Sequence, residues 1–161
     1  METKPTMIES ERDLFVRKLR ELYAFERRLE AAQAEFADEA TDENLESFFA
    51  GHGEATTEQL ERLDAIFEGI DAEYEPRETR TLSALLDECA ELVADLPDPN
   101  LADRVTAETG RAIERLEVTR LETLLSLADR LDVSPSVAEP LERTREEASN
   151  AAERLEGLAV S

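Results

Sequence analysis

The most constraining feature of this sequence is a set of long stretches that contain no proline and carry apolar residues in steps of three and four. The prolines stand near the edges of these stretches: Pro5, Pro76, Pro97, Pro99, Pro135 and Pro140. Because residues three and four apart share one face of an α-helix, each stretch predicts an amphipathic helix. Aromatic residues make up only 5% of the chain and Ala and Leu fill the apolar positions, which favours helices over strands.

Five helices are predicted, at residues 8–39, 42–70, 78–95, 99–131 and 134–158. Thr41, followed by acidic residues, predicts the N-cap of the second helix, and Ser134–Pro135 predicts the start of the last. Short turns within the first and the last pair of helices make each pair antiparallel, and the third helix lies in the long connection between them. The sequence therefore predicts an all-α, ferritin-like four-helix bundle of two antiparallel hairpins with a short additional helix in the crossover, formed as a single domain over residues 1–161.

The charge of the chain is strongly acidic, with 40 Asp and Glu residues against 18 Lys and Arg residues and a net charge of −22. This charge argues against nucleic acid and against an anionic membrane surface as partners. A dense carboxylate coat repels itself at low ionic strength, as in halophilic proteins adapted to a salt-saturated cytoplasm. The alternative is an ordinary acidic surface exposed to solvent.

The single cysteine, Cys89, excludes an internal disulfide, and its place among apolar residues of the crossover helix predicts a core position. No apolar run approaches the roughly 20 residues that span a bilayer. The segment Met1–Ser10 lacks the basic and then apolar pattern of a secretion signal. These features predict a cytoplasmic protein.

Three polar residues, Glu26, His52 and Glu117, interrupt the apolar faces of the long helices. A weak internal repeat relates two of them, because an offset of 91 places Glu26 on Glu117. At an offset of 92, residues 52–63 align with residues 144–155, which sets Glu147 opposite position 55. The repeat therefore indicates that both halves of the chain bring a glutamate to equivalent places in the bundle.

Bundles that bind two metal ions use one Glu from each of two helices and a Glu/His pair, three residues apart, from each of the others. Carboxylate oxygens, together with a smaller number of imidazole nitrogens, are suitable ligands for iron or manganese. The residues that supply part of this pattern, and that we predict as metal ligands, are Glu26, His52, Glu114, Glu117 and Glu147. No catalytic residue is predicted.

Each candidate also has a structural interpretation. Glu26 and Glu117 are otherwise expected to be partly exposed or paired with arginine. His52, between two glycines, is otherwise an incidental histidine at a helix distortion, and Glu147 a surface residue. Without a metal ion or an arginine partner, carboxyl groups clustered on the apolar faces require raised pKa values.

Three segments, residues 14–29, 52–67 and 113–117, together resemble the YciE/YciF-type ferritin-like proteins, in the same order over about residues 14–158. The resemblance implies a rubrerythrin-like bundle that forms a homodimer and acts in bacterial and archaeal stress responses. It also implies a centre of two metal ions with no established reaction. The family's ligand positions carry over onto the five predicted metal ligands.

The chain departs from the family pattern at three ligand positions. The family tends to have Glu at position 55 and His at position 115, where this chain has Ala55 and Arg115, and Ala148 replaces a common second acid. A ligand set with so many losses predicts that the protein binds one metal ion, binds metal weakly or binds none.

Three functions remain open on the sequence. The first is a metal-binding stress-response protein, which would handle oxidant or metal if the centre is present. The second is a metal-free dimeric interaction or structural module with a vestigial site. The third, ranked last, is a helical adaptor whose acidic face binds basic partners.

Overall fold

The structure is a computed structural model that describes residues 7–77 and 79–160. Five α-helices account for most of these residues: α1 Glu11–Glu39, α2 Glu43–Gly69, α3 Arg80–Ala94, α4 Pro99–Arg130 and α5 Pro135–Val160. Each helix begins and ends within three residues of its predicted bounds. The predicted helix start at position 78, and positions 1–6 and 161 of the predicted domain, lie outside the described residues.

The helices form two antiparallel pairs joined by a long crossover. α1 packs along α2 and α4 packs along α5, and the pairs meet through α1 against α4 and α2 against α5. α3, in the crossover, packs mainly on α4 and also touches α1. This connectivity confirms the predicted all-α, ferritin-like four-helix bundle with an additional helix between its two hairpins.

Side-chain caps define where three helices begin. Ser10 accepts a hydrogen bond from the Asp13 N–H at 3.0 Å, so α1 starts three residues later than predicted. Asp98 caps α4 in the same way. The prediction that Thr41 caps α2 is wrong. Asp42 is the N-cap, because its carboxylate accepts from the backbone N–H groups of residues 44 and 45, whereas the Thr41 hydroxyl donates to Asp103 of α4.

Pro140 is the sixth residue of α5, inside the predicted helix, and its missing N–H costs α5 one backbone hydrogen bond near its start. One position of α3 differs from the sequence prediction. Leu92, placed by its spacing on the apolar face of α3, is 47% exposed, because α3 is covered by α4 and α1 on one side only. Cys89 is buried and free, as predicted.

The apolar core is divided into two clusters. The first lies at the end of the bundle that carries the α1–α2 turn, and includes the inner face of α3. The second lies at the opposite end, near the α4–α5 turn. None of the helices described here is long and apolar enough to cross a membrane.

Candidate functional site

A layer of polar side chains crosses the bundle between the two apolar clusters. On α2, Phe49 belongs to one cluster and Leu63 to the other, and on α4 Ile113 and Leu121 divide in the same way. The buried polar residues of this polar layer are Glu26, Gln33, Thr56, Gln59, Glu114, Glu117 and Thr144. All four helices of the bundle contribute to the polar layer, so it forms a continuous break in the hydrophobic core.

Glu26 of α1 and Glu117 of α4 are both fully buried, at 0% exposure. All four of their carboxyl oxygens are enclosed and have no hydrogen-bond partner among the described residues. Burial raises the pKa of the Glu117 carboxyl to about 8, and the negative charge of Glu147 adds to the rise. The alternative interpretation, that these glutamates are partly exposed or paired with arginine, is therefore wrong, and the rise in pKa expected for a clustered carboxyl without such a partner is present at Glu117.

His52 and Glu114 form a pair across the bundle. His52 Nε2 lies 2.6 Å from Glu114 Oε1, and their side chains are 8% and 2% exposed. The imidazole also stacks on Phe48, with ring centroids 5.3 Å apart, and α2 continues without a break through the flanking glycines. His52 is thus a fixed partner of a buried carboxyl rather than an incidental histidine. The second oxygen of Glu114 has no partner among the described residues.

Glu147 lies at the rim of the polar layer and is held by an arginine. Arg62 of α2 donates to Glu147 Oε1 through Nη1, and its Nη2 lies 3.3 Å from Glu147 Oε2. The same guanidinium reaches Thr144 Oγ1 at 3.3 Å. The side chain of Glu147 is 27% exposed, so it is neither a simple surface residue nor a member of the buried group.

Sequence reasoning did not select the polar partners of these residues. Thr56 donates to Gln33 Oε1 at 2.8 Å, and Gln59 is fully buried with both amide atoms unpartnered in the described structure. Gln33 lies on the same apolar face of α1 as Glu26, and Thr56 and Gln59 lie on the same face of α2 as His52, so the signal was present in the spacing. Arg62 lies one position off this face of α2, and its role depends on how α2 and α5 face each other.

The ferritin-like fold implies a metal centre, and the polar layer contains donor atoms of the right kind for one. The unpartnered oxygens of Glu26, Glu114 and Glu117 are hard donors of the kind that iron or manganese takes, and His52 adds an imidazole. The residue types therefore fit a cation. Their positions do not form a complete metal site, since among the described residues no three His, Cys, Asp or Glu side chains are grouped so as to hold a metal ion.

Two positions of the implied two-metal pattern are engaged in other contacts in the structure. Arg115, where the resemblance implies a histidine, points to solvent and pairs with Glu156 at 3.2 Å. Glu147 is already bound by Arg62. Of the five predicted ligands, the structure leaves Glu26, Glu114 and Glu117 with free carboxyl oxygens and His52 paired with one of them.

The fold and the site together define an all-helical, ferritin-like bundle with a buried layer of carboxyl groups. A family model described as Domain of unknown function (DUF892) matches residues 10–161. The chain therefore belongs to this family.

Individual relatives agree with this assignment. The chain is 26% identical to Protein YciF of Escherichia coli (strain K12) over 150 residues, which is 92% of this chain and 90% of that protein. The crystal structure of the E. coli stress protein YciF matches with a TM-score of 0.88 and 26% identity, covering 95% of this chain and 96% of that one. YcfI, described as a candidate structural protein from Rhodopseudomonas palustris, matches with a TM-score of 0.90 and 25% identity, covering 96% and 98%. The resemblance to YciF-type proteins is confirmed.

Proposed function

We propose that this protein is a stress-response bundle of the YciF type that binds one divalent cation, iron or manganese, in its polar layer. The observation that carries the proposal is the set of enclosed carboxyl oxygens without partners on Glu26, Glu114 and Glu117. The stress role rests on the relative from E. coli, which is described as a stress protein. We place the protein in the cytoplasm, where its one free cysteine stays reduced.

The physical argument concerns the cost of burying charge. A carboxylate removed from water and left without a counter-charge is strongly disfavoured, so it either keeps its proton or takes up a cation. In the cation-free protein Glu117 keeps its proton near neutral pH, because its pKa is about 8. A cation would displace that proton, so binding strengthens as the pH rises.

The depleted ligand set favours one cation over two. Glu26 and Glu117 would bind it directly, with Glu114 as a third carboxylate and His52 holding Glu114 in place or joining as a nitrogen donor. Arg62 already neutralises Glu147 and so removes the ligand of a second ion. Bound iron or manganese would supply redox and Lewis-acid chemistry, and we assign no reaction and no substrate to it.

The second candidate is a metal-free homodimeric interaction or structural module with a vestigial site. It is favoured by the same internal pairs, since His52 satisfies one oxygen of Glu114 and Arg62 satisfies Glu147. The absence of any three grouped donor side chains in the described residues favours it too. In this alternative the polar layer serves only to fix the register of the four helices.

Elemental analysis of untagged protein, purified in molar KCl without chelator, separates the two candidates. We expect iron or manganese at about one equivalent per chain, lost in Glu117→Ala and retained in the matched control Glu142→Ala on the exposed face of α5. Metal below about a tenth of an equivalent, even after anaerobic Fe(II) loading, would establish the metal-free module. A dimer that survives chelator is expected in either case.

A further inference from the structure

The polar layer is closed toward solvent by different contacts on the four sides of the bundle. Between α1 and α2, Thr56 donates a hydrogen bond to Gln33 Oε1 at 2.8 Å, and both side chains are buried. Between α1 and α4, the Arg120 guanidinium covers the buried Phe25 ring at 5.6 Å from its centroid, and α3 packs against both helices. α4 and α5 pack closely along each other. On the fourth side, between α2 and α5, α3 makes no comparable contact in the part of the chain that the structure describes.

An ion pair between Arg62 of α2 and Glu147 of α5 closes this fourth side. Besides its bonds to Glu147, the Arg62 guanidinium donates to Thr144 Oγ1 at 3.3 Å. The Thr144 hydroxyl is buried and donates in turn to the Pro140 carbonyl at 2.8 Å, so the guanidinium is tied to the backbone of α5 as well. The side chains of Arg62 and Glu147 are 14% and 27% exposed, which places the pair at the boundary between the polar layer and solvent.

Polar groups continue inward from this ion pair. Burial, and after it the negative charge of Glu147, raises the pKa of the Glu117 carboxyl to about 8, so the rim carboxylate lies within electrostatic reach of the buried one. Gln59, one turn before Arg62 on α2, is fully buried, and neither of its amide atoms has a partner among the described residues. The α2–α5 side therefore joins the solvent to the enclosed carboxyl groups through polar side chains alone.

Arg62 has a second carboxylate within reach on the solvent side of the pair. Glu58, one turn earlier on α2, lies 3.8 Å from Arg62 Nη2, and its side chain is 65% exposed. Turning the guanidinium away from Glu147 and toward Glu58 requires only side-chain rotation and no movement of either helix. Ion pairs at exposed positions contribute about 1 kcal/mol or less, so Arg62 exchanges between its two partners readily.

We propose that the Arg62–Glu147 pair is the gate through which a divalent cation enters and leaves the polar layer. The proposal rests on the proposed cation site. With the gate closed, Arg62 repels an approaching cation and occupies both oxygens of Glu147. With Arg62 turned toward Glu58, Glu147 accepts the cation from solvent and transfers it to Glu117. The charge at the entrance stays balanced, because one positive group replaces another beside the same carboxylate.

The test is stopped-flow uptake of Mn(II) by chelator-treated protein in about 1 M KCl, followed with a dye that reports the unbound ion. At this salt concentration the Debye length is about 3 Å, so a single surface charge no longer steers the ion. We expect Arg62→Met to take up Mn(II) at least about tenfold faster than the wild type, with the same number of ions bound. Arg130→Met is the matched control, because it breaks an ion pair with Glu11 between the ends of α4 and α1. It keeps the wild-type rate.

Two further variants make the test specific. Arg62→Lys keeps the charge but loses the two-pronged contact, so its uptake is faster than that of the wild type and slower than that of Arg62→Met. It replaces Arg62→Met if that variant does not give a cooperative thermal melt. Glu58→Gln removes the outer partner of the guanidinium and slows uptake about twofold, the opposite direction to Arg62→Met.

Uptake at the wild-type rate in both Arg62 variants, or equal acceleration in Arg62→Met and Arg130→Met, overturns the gate and leaves the cation site in place. Equilibrium titration of the same samples tests the site separately. If the wild type binds no more Mn(II) than a Glu26→Gln, Glu117→Gln double variant, the cation site and its gate are both overturned.

Discussion

The carboxyl group of Glu117 makes the stability of the fold depend on pH. Its pKa is about 8 in the folded protein and 4.5 as an ordinary glutamate. Below pH 4.5 both folded and unfolded chains carry the proton, and the full contribution to stability is present. Between these two values the unfolded chain loses the proton and the folded one keeps it, so stability falls as the pH rises, and the fall levels off above about pH 8.

We therefore predict that Glu117→Gln removes much of this fall in metal-free protein. An amide is neutral at every pH, so the variant exceeds the wild type in unfolding free energy by more at pH 8 than at pH 5, by on the order of a few kcal/mol. Urea unfolding at a series of pH values, with chelator and fixed KCl, measures the difference. Glu142→Gln, exposed on α5, is the control. Parallel pH profiles for Glu117→Gln and the wild type would contradict the buried-acid interpretation.

At the level of helices, glycines in two different settings make a matched comparison. A Cβ atom added at Gly51 meets nothing within 4 Å, whereas one added at Gly110 meets Leu155 Cδ1 at 3.1 Å and Phe49 Cζ at 3.2 Å. Alanine gains up to about 1 kcal/mol over glycine within a helix. We predict that Gly51→Ala raises the unfolding free energy by that amount and that Gly110→Ala raises it less or lowers it. Denaturant unfolding measures both, and equal gains would show that Leu155 of α5 and Phe49 of α2 do not pack tightly against Gly110.

The α1–α2 turn is held by one residue of α4. Asp103 accepts from the Thr41 N–H at 3.1 Å, the Thr41 hydroxyl at 2.6 Å and the Asp42 N–H at 2.9 Å. We predict that Asp103→Ala lowers the unfolding free energy by about 1–2 kcal/mol and speeds amide exchange at the start of α2. Hydrogen exchange resolved by peptide measures this, with exposed Glu108→Ala as the control. Unchanged amide exchange over residues 41–45 would show that the turn does not depend on Asp103 for its stability.

These elements also show how far the sequence determines the structure. The spacing of apolar residues predicted all five helices, because burial of one face follows directly from spacing. The short turns predicted which helices pair. The same spacing located Glu26, His52 and Glu117, since a polar residue at a core position is informative wherever it occurs. Glu114 was predicted from its place one turn before Glu117.

The sequence did not predict the contacts between distant segments of the chain. Asp103 caps a turn about 60 residues earlier in the chain, and Arg62 binds Glu147 on another hairpin. Both depend on the register and rotation of one helix against the next, which spacing within a single helix does not determine. The pairing of His52 with Glu114 rather than with Glu147 is set by the same geometry.

The whole molecule carries a large negative charge, and the compact state is stable only when salt ions screen it. With a net charge of −22 on 161 residues, repulsion between carboxylates opposes the compact state at low ionic strength. We predict that the Tm rises as KCl is raised from about 0.05 M to about 2 M, most steeply at the low end, where the Debye length is longest. Thermal melting followed by circular dichroism measures this. A Tm that does not respond to KCl would indicate an ordinary acidic surface rather than adaptation to salt.

The central claim is that the polar layer binds a divalent cation, and its most direct test is titration of chelator-treated protein with Mn(II), followed by electron paramagnetic resonance of the unbound ion. The account predicts about one bound ion per chain, tighter at pH 8 than at pH 6, and binding that is lost in a Glu26→Gln, Glu117→Gln double variant. The opposite result is an equal, weak uptake of Mn(II) by the wild type and the double variant. It would assign that uptake to the acidic surface and leave the polar layer with a purely structural role.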